Sequence, residues 1–180
     1  MVDDVRANTL GGLSLSFLLW KASVLPMLLS GAECGVGVRK KTLNDLEKLQ
    51  LKLLRVCLAV GKGTPKAHLY AQTGTWTISN QVVFLKLRFL HHVATLPIGS
   101  LARDVYQSKL EQELPGLVTE MKPLLDEFQV TDITSFSKNQ WKRFLEDKLH
   151  SQNAQDIIKM ARSCKYKIDI KFFEKDDFKM

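Results

Sequence analysis

Apolar residues recur along this chain at helical spacing, and alternation of period two is nearly absent, so the pattern predicts helices throughout. The clearest run follows Thr42. Leu43, Leu46, Leu49, Leu53, Leu54, Cys57 and Leu58 form one stripe, with Asp45, Lys48, Lys52 and Arg55 outside it. Thr42 and Asp45 resemble a capping box at its start, and Gly61 supplies a left-handed stop. Upstream, a first helix is expected from about Val5 to Glu33. Gly11-Gly12 weakens it, and Pro26 kinks or divides it.

Downstream, Thr64-Pro65 opens a short helix to Gln72, which Gly74 ends. Trp76 and Ile78 are expected to turn inward before a Ser79 cap and a helix to Thr95. Ser100 caps a helix ending near Leu114. Another runs from Leu117 to Phe128, with Pro123 as a kink. Ser137 with Gln140 is a second capping box, opening a helix to His150, and a last helix spans Ala154 to Cys164. The fold class expected is therefore all-α, an irregular bundle of about six to eight helices.

Charge changes this picture. The formal net charge is +7. Residues 37–95 carry ten Lys or Arg against two Asp or Glu, whereas residues 96–137 carry three against seven. The sign changes between Leu96 and Leu101, which suggests a helical region over 1–97, a second over 98–165, and a tail over 166–180 that lacks a helical stripe and is expected to be frayed or disordered. The basic segment would attract a polyanion. Its candidate contacts are Arg39, Lys40, Lys41, Lys48, Lys52, Lys62, Lys66, Lys86 and Arg88. If the Thr42 and Ser79 helices pack antiparallel, their basic faces line a groove beside a phosphate backbone. Phe84 and Phe89 fall with Leu85 and Leu90 on an apolar face and read as core.

Catalytic chemistry is poorly represented. Asp3-Asp4 looks like a two-metal carboxylate pair, but the residues after it read as helix, and acids at a helix start favour its positive end. His91-His92 are adjacent and point about 100° apart on a helix, so they do not clamp one metal. One is expected half-buried and the other exposed. Cys34, Cys57 and Cys164 form no CxxC pair, and their odd number argues for a reducing compartment. GKGT lacks the rest of a phosphate-binding loop. No cofactor or metal is implied. No apolar run reaches the roughly 18 residues of a membrane span, and acids precede the first apolar run where a secretory signal needs bases.

Several stretches, in order, carry a likeness: RANTLGG, LWKASVLPMLLSGAEC, KKTLNDLEKLQLKLLRVCLAVGKGTPKAHLYAQTGTWTISN, LKLRFLHHVATLPIGSLARDVY, LPGLVTEMKPLL and FSKNQWK. Together they resemble the region downstream of the catalytic palm in non-long-terminal-repeat (LINE-type) retrotransposon reverse transcriptases, from about Asp4 to Lys165. One departure is Cys34, where tryptophan is common in that family. The family's paired-aspartate box lies upstream, in the palm, and no position here matches it. The resemblance thus implies a thumb-and-connection segment without fingers, palm or endonuclease. Such a segment is not an enzyme and takes no cofactor. It would grip an RNA–DNA or DNA duplex through phosphates, by shape rather than by base reading, in the nucleus or cytoplasm. Two alternatives stand beside it. One is a domesticated helical module that meets a protein partner, or a second copy, through an exposed apolar helix face. The other is a decayed element without a role.

Overall fold

A computed structural model describes residues 15, 17–34 and 39–164. They are all-helical. Seven α-helices run in order: α1 (Leu25–Leu28), α2 (Lys40–Cys57), α3 (Lys66–Thr73), α4 (Ile78–Ala94), α5 (Leu101–Glu111), α6 (Leu117–Glu127) and α7 (Lys138–Arg162). A π-helical turn, Trp20–Val24, precedes α1, and a 3₁₀ turn, Ile133–Ser135, precedes α7. Among the described residues the expected all-α class, with six to eight helices, is what forms. The expectations for Asp3-Asp4 and for the 166–180 tail lie outside the described residues.

The described residues divide into two compact units. The first holds those up to Ser30, Lys41–Ile78, and those from Asn153 onward; the second holds 31–40 and 79–152. The change of charge sign between Leu96 and Leu101 falls inside the second.

In the first unit, Leu51 and Leu54 of α2 pack with Ala67, Leu69, Tyr70 and Ala71 of α3 and with Ile157 and Ala161 of α7. Burying such side chains stabilises by about 1.5–3 kcal/mol each. The stripe expected on α2 is rotated: Leu49 is exposed, and the deepest residues are Gln50, Leu51 and Leu54. The helix also begins at Lys40, so Thr42 lies inside it and is no cap; Asp45 instead pairs with Lys48 at 2.9 Å. It ends on Ala59, not Gly61. Ala59 takes φ 51°, and the Val60 amide donates to the Arg55 carbonyl at 3.0 Å, the longer bond of a Schellman turn. Gly74 ends α3 in the left-handed region, as expected.

Pro26 acts through the π-helical turn. It has no N–H to donate, and the Leu25 amide bonds the Trp20 carbonyl five residues back. The helix stops at Leu28 rather than Glu33, and Gly31 takes φ 82° in the turn that follows.

The start of α4 is not capped locally. It begins at Ile78, one residue before the expected Ser79 cap. The Ile78 amide donates to Glu47 Oε2 at 2.8 Å, and the Thr77 amide donates to Asn153 Oδ1 at 3.2 Å. Glu47 also accepts from the Tyr70 hydroxyl. Beside it Gln50, fully buried, donates to the Trp76 carbonyl at 2.9 Å. Ile78 is buried, as expected, while Trp76 is half-buried.

In the second unit, α5 packs on α6. Ser100 occupies the cap position of α5, but its buried hydroxyl finds no partner among the described residues. The Ser137–Gln140 box forms as expected: the Ser137 amide donates to Gln140 Oε1 at 3.0 Å, and the Gln140 amide donates to Ser137 Oγ at 3.4 Å. The two helices expected over the last stretch are one, of 25 residues. Ser151 and Asn153 look like a break in sequence. Within α7, Ser151 Oγ bonds the Asp147 carbonyl at 3.1 Å and Asn153 is committed to Thr77.

Candidate nucleic-acid interface

On α2, Lys41, Lys48 and Lys52 stand seven and four positions apart, so they share a face. All three are exposed. Asp45 lies on the same face and takes up Lys48. Lys62 and Lys66, also exposed, flank the α2–α3 connection. That connection is tied down by Arg55, which donates to the Leu51 and Thr64 carbonyls, each at 3.4 Å. Among the described residues, no ion pair engages Lys41, Lys52, Lys62 or Lys66. Arg39 and Lys40, which belong to the second unit, are exposed too.

Lys86 does not belong with these exposed bases. Its side chain is only 3% exposed, and its ammonium lies 2.6 Å from Glu120 of α6. An ammonium held this way cannot meet a phosphate in solvent. The sequence signal misleads because Lys86 sits among Leu85, Leu87 and Phe89, where a basic residue in a helix usually snorkels outward. Arg88, two positions on, is exposed, and its guanidinium lies 5.4 Å from the centre of the Phe84 ring.

Arg88 opens a second feature that the sequence did not single out. A cleft of about 380 Å³ in the second unit is lined by Glu33, Leu85, Arg88, Phe89, His91, His92, Thr95, Lys138 and Trp141. Its floor is rigid. His91 is buried, donates or accepts through Nε2 at the Phe136 carbonyl (2.9 Å), and stacks on Trp141 with ring centres 5.6 Å apart. Trp141 donates its indole N–H to the Leu87 carbonyl at 3.1 Å and stacks in turn on Phe144. His92 is exposed, so the pair divides into one inside and one outside. Lys138 was legible only as the residue after a cap; its nearness to Arg88 is tertiary.

Of the thiols, Cys34 is exposed, and burial pushes Cys57 above its ordinary range. Among the described residues, no group of three His, Cys, Asp or Glu is placed to hold a metal ion, and no helix is long and apolar enough to cross a membrane. Comparison with known proteins adds no relative: no family model matches the chain, and no curated protein or solved structure matches it either.

Proposed function

We propose that this chain is a non-catalytic, thumb-like helical segment of the LINE-type reverse-transcriptase kind, which holds a nucleic-acid duplex through its phosphates. The observation that carries the reading is the set Lys41, Lys52, Lys62 and Lys66. All four are exposed in one unit, and among the described residues none of them is in an ion pair. Within the same unit Lys48 contributes less because Asp45 accompanies it, and Lys86, in the second unit, is not counted. Contacts of this kind position a duplex without reading its sequence. A nuclear or cytoplasmic setting goes with this reading.

The test is binding of the purified chain to an RNA–DNA hybrid, followed by fluorescence anisotropy at rising salt. Log affinity should fall linearly with log salt concentration as counterions are released. No binding at low salt, or binding without a slope, defeats the proposal.

A second reading has its own support. Leu15, Leu18, Leu19, Val24, Met27 and Leu28 are all exposed, Met27 to 77%. An apolar face of this extent suits a protein partner or a second copy of the chain. Sedimentation across a range of concentrations distinguishes it: self-association that Leu18→Glu and Met27→Glu abolish favours this reading, and a monomer at all concentrations removes self-association.

A further inference from the structure

We propose that the cleft of the second unit binds a single ribonucleotide through its phosphate monoester. Its volume, about 380 Å³, falls at the small end of the range for ligand sites. That volume is room for about one nucleotide, so the site differs in kind from a surface that tracks a phosphate backbone.

The lining supplies three chemistries in one place. Arg88 and His92 lie one turn apart on α4, and Lys138 starts α7, so two permanent cations and an imidazole border the same space. Among the described residues neither Arg88 nor Lys138 is engaged in an ion pair. A monoester dianion satisfies both, with the planar guanidinium offering two parallel N–H donors to two phosphate oxygens. Leu85 and Phe89, one turn apart and half-buried, give an apolar wall for a planar base. Glu33 supplies a carboxylate to the same lining, and a carboxylate accepts from ribose hydroxyls. An inorganic anion would use only the first of these, and an apolar ligand only the second. The stacked His91–Trp141 floor, held by hydrogen bonds at both rings, keeps the walls in place before ligand arrives.

The test titrates the full chain with adenosine 5′-monophosphate, adenosine and inorganic phosphate, reading the Trp141 indole and the His92 ring by NMR and affinity by calorimetry. The monophosphate should bind about tenfold or more tightly than adenosine, the value of one charge-assisted contact. Lys138→Gln and Arg88→Gln should each weaken it by about the same factor. Lys138 is exposed in the first helical turn, so its variant should keep the parent unfolding midpoint. Equal affinity for adenosine and its monophosphate overturns the proposal. So does unchanged affinity in a folded Lys138→Gln, or binding that leaves Trp141 and His92 unshifted. Competition by a single-stranded RNA bearing a 5′-phosphate, but not by its 5′-hydroxyl counterpart, assigns the site to strand ends. Absence of competition by either assigns it to the free nucleotide. Duplex binding is measured separately with variants of Lys41 and Lys52, so the two readings fail independently.

Discussion

The Glu47 carboxylate caps a helix that begins 31 residues later, accepting the Ile78 amide at 2.8 Å while its other oxygen accepts the Tyr70 hydroxyl. One acid thus joins α2, α3 and Ile78 within the first unit. It also places negative charge at the positive end of α4. Glu47→Ala orphans both donors and should lower unfolding free energy by about 2–3 kcal/mol. Glu47→Gln keeps one acceptor and should fall between. Urea denaturation measures both, and equal stability of the Ala variant and the parent would remove this tie from the account.

Tyr70 gives the same network a pH signature. Burial, then the neighbouring Glu47 charge, then the hydrogen bond to it, hold the phenol well above its ordinary value of 10.0; the Gln50 hydrogen bond and the Arg55 charge work against them. Above about pH 10 the unfolded chain releases a proton that the folded chain retains. The unfolded state then binds fewer protons, so stability is full below that value and falls as pH rises beyond it. Tyr70→Phe should flatten this alkaline decline. Tyr106, also raised by burial and then by Asp132, contributes in both proteins, so the difference isolates Tyr70.

The Lys86–Glu120 pair should behave as structure and not as a nucleic-acid contact. Breaking a buried pair costs about 3–5 kcal/mol, and the one-third exposure of Glu120 reduces this to about 2–3. Glu120→Gln is expected to lose that much in urea. Lys86→Met with Glu120→Leu should recover most of it. Duplex affinity should be the same in the double variant as in the parent, and a drop would return Lys86 to the binding set.

Ala59, Glu113 and Gln129 each take a positive φ, of 51°, 49° and 59°. In each case the next amide bonds a carbonyl five residues back. A side chain in this region costs about 1 kcal/mol that glycine does not. Ala59→Gly should therefore raise stability by about 0.5–1 kcal/mol, read as a higher thermal midpoint. With an ordinary right-handed backbone Ala→Gly destabilises instead, so a decrease would mean the turn is not left-handed in solution.

For the duplex reading, Lys41, Lys52, Lys62 and Lys66 replaced together by Gln should make the salt slope shallower by roughly 0.9 for each phosphate they cease to neutralise. The same replacement at Lys122, which pairs with Glu113 at 2.9 Å in the acidic stretch, should leave the slope unchanged. Slopes that do not differ between the two variants would place the binding surface elsewhere.

Periodicity alone determined that the described residues are helical and where most of their helices lie, because i, i+3 and i+4 spacing is a local property of any amphipathic helix. Pro26, Gly74 and the Ser137–Gln140 pair were legible for the same reason: each acts on its own backbone within five residues. What the sequence could not determine was every choice made by a distant partner. Glu47 stands in for Ser79 at the start of α4, Asn153 sits inside a continuous α7 with its side chain accepting the Thr77 amide, and Lys86 lies inside against Glu120. The cleft belongs to the same class, since Arg88 and Lys138 are fifty residues apart in sequence and meet only when α4 and α7 fold. Polar side chains satisfy themselves with whatever donor or acceptor the packed core delivers, and the core, not the neighbouring residues, decides which one that is.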